Sequence, residues 1–525
     1  MPTNAEFRQT VYTLMIVASA GLVAGRILSV NFNYEPYLHR DPSVAEDTKR
    51  EWPKVRPKPM PTFSSNDRSR WATIRVLVDD GTYQIGERTI TDPATGAYKD
   101  SGITFEEGWG GVDKVMHPET RKFYSSKPPL LPTLLAGEYW LLKQLLGWNF
   151  QTHLFAIVRT VLLTVNWLPL ILYWVLLARL IDRFGGSDWG RLYALAAGCF
   201  GTFLTTFAIT LNNHTIAACT GLFALYLAVD LWTDPATQPL WRFALAGLLA
   251  AFTAAVELPA MAFLVGLGCL LLWRAPRQTL LGFVPPVLLV VAAGLLTNYL
   301  AIGRLTPAYA EVGAKSEWYL YAGSHWLEVP GKEKTGIDFA WKKETRPTYM
   351  FHFLFGHHGI FSLSPIFLLS VVGIWLGVRR GLWGESPAPA VIEPDGPSEG
   401  ETAAAVEPPA SVSNPGILER LRGCPYTMIA LLTAYLTVVV VGFYLVKTNN
   451  YGGWCSGPRW VFWLTPFWLL TMLPAVDWLA TRRWGRALAL VFLCISVASV
   501  SYPAWNPWRM PWIYQWLDAY GLIPY

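Results

Sequence analysis

Eleven stretches of this sequence are apolar over roughly the length of a membrane crossing. They fall near residues 10–30, 153–178, 190–210, 214–232, 241–256, 258–273, 279–301, 358–378, 425–446, 459–476 and 486–503. About 20 apolar residues span the hydrocarbon core as a helix, because a helix satisfies its own backbone where water is absent. Composition agrees with this pattern. Of 525 residues, 52% are hydrophobic and only 15% are charged, against about a quarter charged in soluble domains. The predicted fold class is an all-α polytopic membrane protein with about 11 transmembrane helices. The first stretch follows Arg8 and outruns a signal-peptide core, so it reads as a retained helix.

Orientation follows from the short connections. Arg179, Arg183, Arg191, Arg242, Arg274, Arg277, Arg379, Arg380, Arg420, Arg422, Arg482, Arg483 and Arg486 fall on one side, which the positive-inside rule makes cytoplasmic. The N-terminus is then cytoplasmic, and the long loops 31–152 and 302–357 face outward. Residues 384–416 are rich in Pro, Ala and Glu and hold no Lys or Arg, a composition that does not bury enough apolar surface to fold. Three regions follow: an N-terminal membrane block over 1–379, a disordered cytoplasmic linker over 380–422, and C-terminal helices with an outer tail over 423–525.

Several classes are excluded. The net charge of +5 is small and dispersed, which does not suit nucleic acid. The six cysteines show no paired spacing. His357 and His358 are adjacent, so on a helix they would point to different faces and make a poor metal pair. No P-loop, zinc or dinucleotide fingerprint is present, and no repeat of the kind many transporters carry.

The first outer loop carries the chemistry. In SSNDRSRWATIRVLVDDGTY (64–83), residues 66–80 read as a helix capped by Ser65 or Asn66 and ended by Gly81. Its apolar face of Trp71, Ile74, Leu77 and Val78 would lie on the membrane surface. Residues 129–147 read as a second interfacial helix. Asp79 and Asp80 sit at a helix C-terminus and read as a solvated end. Asp67 sits in the first turn, where free N–H groups favour a carboxylate. In FYSSKPPLLP (123–132), Pro128 holds Lys127 in extended backbone, a rigid point charge suited to phosphate. Asp113 and His117 lie in a part of the loop with no readable pattern.

The NDRSRW and DDGTY steps, FYSSKPP, and NNYGGWCSGPRWVFWLTPF at 449–467 together resemble membrane glycosyltransferases of the C superfamily. The likeness is greatest to bacterial relatives of the aminoarabinose transferase and the protein O-mannosyltransferases (the family 39 and 83 types). It covers most of 60–235 and recurs near 450–467. Two departures stand out. Arg68 follows Asp67 where many relatives have Glu, and the TLNNHTIAA turn carries Asn212, Asn213 and His214 where many relatives have an aspartate.

The resemblance implies inverting transfer of a sugar from a polyprenyl-phosphate donor to an acceptor hydroxyl on a lipid, glycan or protein at the outer face of the cell membrane. It makes Asp67 the general base, which typically contributes about 10²–10⁴-fold. It makes Lys127 the phosphate ligand and Arg459 a second one. His214 and Asn213 are candidate substrate-binding groups, as is Glu257, an ionisable residue in an apolar stretch. No cofactor and no metal ligand set is indicated; a divalent cation is permitted but not called for. A lipid or sugar transporter or flippase, or a non-catalytic scaffold on the same fold, are the competing readings.

Overall fold

The computed structural model describes residues 3–31, 51–52, 54–55, 58–311, 316–331, 333–383, 419 and 422–525. Most of the 380–422 linker lies outside the described residues. Helices dominate. Along the chain they include α1 (Asn4–Leu28), α2 (Ser65–Asp79), α3 (Leu130–Leu146), α4 (Leu154–Phe184), α5 (Asp188–Phe200), α6 (Asn213–Thr233), α7 (Leu240–Val256), α8 (Leu258–Arg274) and α9 (Pro276–Ile302). They continue as α10 (Ile366–Trp383), α11 (Pro425–Lys447), α12 (Arg459–Thr471), α13 (Leu473–Ala480) and α14 (Arg483–Ser501). All six cysteines are free.

Each of the eleven apolar stretches contains helix, yet they do not make eleven full-length crossings. Among the described residues, six helices are long and apolar enough to cross a membrane: α1, α4, α6, α9, α11 and α14. A seventh results if α12 and α13, bent by 45°, form one broken span. The breaks have chemical causes. Pro474 follows the α12–α13 junction, and Pro259 follows Glu257 between α7 and α8; neither proline has an N–H to continue the ladder. Stretch 190–210 stops at Phe200 and resumes as one short turn, Leu204–Phe207. α6 is the central helix, with 78% of its apolar window buried. By contrast α9 turns Leu288, Leu289, Leu296 and Leu300 outward, the face that a membrane helix offers to lipid.

The all-α expectation needs a correction. The first long loop carries a four-stranded antiparallel sheet, in spatial order β2-β1-β4-β3, built from β1 (Gly86–Asp92), β2 (Ala97–Ser101), β3 (Lys114–Met116) and β4 (Lys122–Ser125). Asp92 caps the β1–β2 turn by accepting from Ala94 N and the Thr95 hydroxyl, and Gly96 (φ 69°) closes it in the left-handed region. Exposed residues alternate along β1, so a strand signal was present in a stretch too polar to draw attention.

α2 also differs from the helix expected to lie flat on lipid. Both its faces are covered: Trp71, Ile74 and Val76 are buried, and so are Asn66, Asp67, Ser69, Arg70 and Thr73. It packs on α3, with Trp71, Trp109 and Tyr139 gathered edge-on around Phe150. Asp79 is not a solvated end. It accepts from the Tyr139 hydroxyl at 2.9 Å and from Lys143 at 2.7 Å, and so ties α2 to α3.

Candidate functional site

The hairpin of β3 and β4 sets the site. Lys114 pairs with Ser125, so the residues just outside the paired strands, Asp113 and Lys127, are carried to the same end. Ser126 N donates to Asp113 O at 3.2 Å, and Lys127 Nζ reaches Asp113 Oδ1 at 2.5 Å. The tight return at residues 117–121 places Arg121 at φ 58°, the local cost of so short a hairpin.

α2 braces this hairpin end. The Ser65 hydroxyl donates to Asp113 Oδ2 at 2.6 Å, and the Ser69 hydroxyl to Asp113 O at 2.7 Å. The approach is close enough that a Cβ on Gly111 would fall 2.4 Å from Ser65 Cβ. Glycine is needed there for space.

Asp113 and Lys127 face a cavity of about 300 Å³, bordered also by Ser65, Asn66, Arg459 and Trp508. Tyr319, Trp326, Trp454 and Trp460 supply further aromatic surface, giving the mix of rings and a few placed polar groups common to ligand sites. Arg459 opens α12 and lies across the cavity from the hairpin. Its Nε and Nη2 donate to Gly452 O at 3.0 and 2.7 Å, and its guanidinium sits 5.1 Å from the Trp508 ring centre. Gly452 (φ 91°) and Gly453 (φ 74°) make the turn that aims this carbonyl.

The electrostatics are those of a charged, partly enclosed pocket. Burial alone would raise the Asp113 carboxyl; the Lys127 charge and hydrogen bond, the Ser65 hydroxyl and Arg459 outweigh it and pull the group down to about 2. Burial pushes Lys127 below its usual value, with Arg70 and Arg459 adding to the effect and Asp113 opposing it. Arg70 is buried and drawn down to about 10, still a cation at neutral pH.

Asp67 lies in the same cluster but not on the cavity wall. It is 1% exposed. Ser64, not Ser65 or Asn66, caps α2, and Asp67 completes the capping box. Its Oδ1 accepts from Ser64 N at 2.8 Å and Arg68 N at 3.0 Å. Its Oδ2 accepts from Phe63 N at 3.1 Å and the Thr210 hydroxyl at 3.0 Å. Thr210 in turn accepts from Trp508 Nε1 at 3.2 Å, and the Ser64 hydroxyl, 3.3 Å from Oδ1, belongs to a residue on the cavity wall, so Asp67 stands one residue behind that wall. Burial raises the Asp67 carboxyl, against the Arg68 charge and these donors.

The other expected site residues form one buried network beside α2. Arg70 Nη2 donates to Asn213 Oδ1 at 2.7 Å, and Asn213 Nδ2 donates to Glu257 Oε2 at 2.5 Å. His214 Nδ1 lies 2.7 Å from the same carboxylate oxygen, without the alignment of a hydrogen bond. Asn213, His214 and Glu257 do not border the cavity that holds Lys127 and Arg459. The cap of α6 is Asn212, which accepts from Thr215 N.

Glu344, His352 and His357 bring potential ligand atoms within 4.8 Å of one another. Both nitrogens of His357 already have partners, the Tyr525 hydroxyl at 2.9 Å and His358 Nδ1 at 2.6 Å, while Glu344 accepts from Tyr451 at 2.5 Å. His357 and His358 are in a turn and not on a helix, so their rings meet. The cluster reads as a brace behind the Tyr451–Gly453 turn.

Two residues at the centre of the site were not singled out from sequence. Asp113 lies in a loop whose sequence shows no pattern, and Arg70 is one of two arginines in NDRSRW, with nothing in the local sequence to mark it. A hairpin signal around the His117–Arg121 return would have paired Asp113 with Lys127. No family model matches the chain, and no curated protein is significantly similar to it.

Proposed function

We propose that the chain is a membrane glycosyltransferase that moves a sugar from a polyprenyl-phosphate donor to an acceptor hydroxyl, with inversion. The observation that carries this reading is the cavity in which Lys127 and Arg459 stand with Asp113 beneath a set of aromatic rings. Two cations suit the phosphate that leaves, and preorganised charge of this kind stabilises a leaving group without reorganisation. Arg459 offers a guanidinium already fixed by Gly452 O, and Lys127 a point charge on a proline-restricted backbone. The rings offer apolar surface to the sugar's C–H faces.

In this reading the cavity is extracytoplasmic, as the arginine-rich connections require, and the shorter helices α5, α7, α8 and α10 and the broken α12–α13 span join the six long ones in a bundle of about 11 crossings. The acceptor hydroxyl attacks the anomeric carbon, the bond from that carbon to the phosphate oxygen breaks, and polyprenyl phosphate leaves with the electron pair. A carboxylate takes the hydroxyl proton. Asp67 is the candidate by resemblance; Asp113 is the cavity-wall carboxylate paired with Lys127. Asn213, His214 and Glu257 would act behind Arg70, holding α2 against α6.

The test is mass spectrometry of cell-envelope lipids and glycans in cells with and without the gene, and with Lys127→Ala. Loss of the protein should leave a polyprenyl-phosphate sugar accumulated and one glycosylated product missing, and Lys127→Ala should reproduce both. Unchanged donor and product pools would refute the reading.

A further inference from the structure

Lys127 and Asp113 are two of the groups on the cavity wall that the proposed reaction needs, and in this structure each occupies the other. Asp113 Oδ1 holds the ammonium at 2.5 Å and Oδ2 holds the Ser65 hydroxyl at 2.6 Å. The ammonium so engaged is not free for a phosphate. The carboxylate, pulled to about 2 chiefly by Lys127 against the opposing effect of burial, is a weak proton acceptor, since base strength follows pKa.

The surroundings allow the pair to separate. The Lys127 main chain is fixed by Pro128 and by its N–H donating to the Ser125 hydroxyl at 3.1 Å, so only the side chain has to swing. Lys127 stands on the wall between two spaces. One is the 300 Å³ cavity with Arg459 and Asp113. The other is a narrow cleft of about 20 Å³ bounded by Tyr83, Tyr124, Pro129 and the Ala301–Ile302 end of α9. A donor phosphate bound in the larger space between Lys127 and Arg459 would compete with Asp113 for the ammonium and draw it off the carboxylate.

We propose that this ion pair is a substrate-operated lock: Asp113 is the general base of the transfer, and it is released to act only when the donor's phosphate draws Lys127 away. The inference rests on the reading of the cavity as a polyprenyl-phosphate sugar site. Once Lys127 has moved, the charged groups still facing Asp113 are Arg70 on α2 and Arg459 on α12. They keep it ionised, while Ser65 keeps it in place. The acceptor's proton passes to the freed oxygen Oδ1 as its hydroxyl oxygen bonds to the anomeric carbon. The leaving phosphate departs as the second product and carries the proton out when it exchanges with Asp113. Without a donor the base stays locked, which also protects the site against activating water.

The lock has a consequence of definite sign. Removing the carboxylate should improve phosphate binding while stopping transfer. The experiment measures the affinity of undecaprenyl phosphate for the full chain in lipid nanodiscs. Asp113→Asn and, in case that variant folds poorly, Asp113→Ser should each bind it roughly tenfold more tightly than the native chain, a difference of one decade in Kd. The gain should vanish in a Lys127→Ala background, because a double-mutant cycle isolates the pair. Asp338→Asn, at another carboxylate on the cavity wall, should change the affinity far less. Equal tightening by Asp338→Asn, or tightening that survives Lys127→Ala, would show a general field effect and overturn the lock. Weaker or unchanged binding by both Asp113 variants, with the native chain binding well, would overturn the lock and leave the sugar-transfer reading standing. Failure of the native chain to bind undecaprenyl phosphate at all would take both down.

Discussion

Replacing Asp67 by asparagine separates a structural carboxylate from a catalytic one. In the native chain Asp67 Oδ2 accepts from Phe63 N and the Thr210 hydroxyl, and Oδ1 from Ser64 N and Arg68 N. An amide keeps one acceptor oxygen. Whichever way it is turned, its NH₂ group must face one of the two backbone donor sets. The Thr210 hydroxyl can rotate away, but Phe63 N cannot. One buried N–H left without an acceptor costs about 1–3 kcal/mol, and losing the charge beside the helix start adds about 0.3–1 kcal/mol. The total of roughly 1–4 kcal/mol is large against the marginal stability of folded proteins. Asp113→Asn has a smaller expected effect, since its side chain is 18% exposed and cavity water can replace what Lys127 loses. The assay compares apparent Tm by tryptophan fluorescence and the monodisperse fraction after detergent extraction, alongside transfer activity. Asp67→Asn should lower the Tm by several degrees and reduce the folded yield; Asp113→Asn should lower the Tm by less and abolish transfer. The opposite pattern, Asp67→Asn fully stable but inactive with Asp113→Asn active, would refute the assignment and return the base to Asp67.

The pH profile carries a further signature. Asp113 is held near 2 in the free site, so its share of stability is present above the ordinary carboxylate value of about 3.9 and is lost as pH falls toward 2. With donor bound and Lys127 withdrawn its pKa rises, so the acid limb of kcat, which reports the complex, should lie at higher pH than that of kcat/KM, which reports the free protein; coincident limbs would contradict the release of the base. Asp79→Asn removes the charge that holds Tyr139 and Lys143 and should lower Tm by an amount matching about 1–3 kcal/mol while leaving KM for the donor unchanged. Gly111→Ala puts a Cβ 2.4 Å from that of Ser65; it should push Asp113 off α2 and cut transfer activity by more than it lowers Tm, as parallel measurement of the two would show.

The sequence by itself determined the elements of regular period and the residues whose chemistry is local. Long apolar runs can be satisfied only as helices in a membrane, so the helical character of all eleven stretches was legible, with α6 and α9 close to their expected bounds. Helices α2 and α3 were legible for the same kind of reason: Asp67 in the first turn and Gly147 at the α3 C-cap (φ 68°) are short-range signals. Lys127 was legible because Pro128 acts on its neighbour. What only the tertiary structure decided was which of these groups meet. The hairpin that sets Asp113 against Lys127 depends on pairing strands of three and four residues, too short for any alternation to show. The burial of Asp67 came from Thr210, 143 residues away, and the support of Arg459 came from a carbonyl seven residues earlier and an indole at Trp508. A carboxylate at a helix start has the same local sequence whether its free lone pairs meet a substrate or backbone N–H groups. The difference lies in the atoms that packing brings to it, and sequence period does not carry that information.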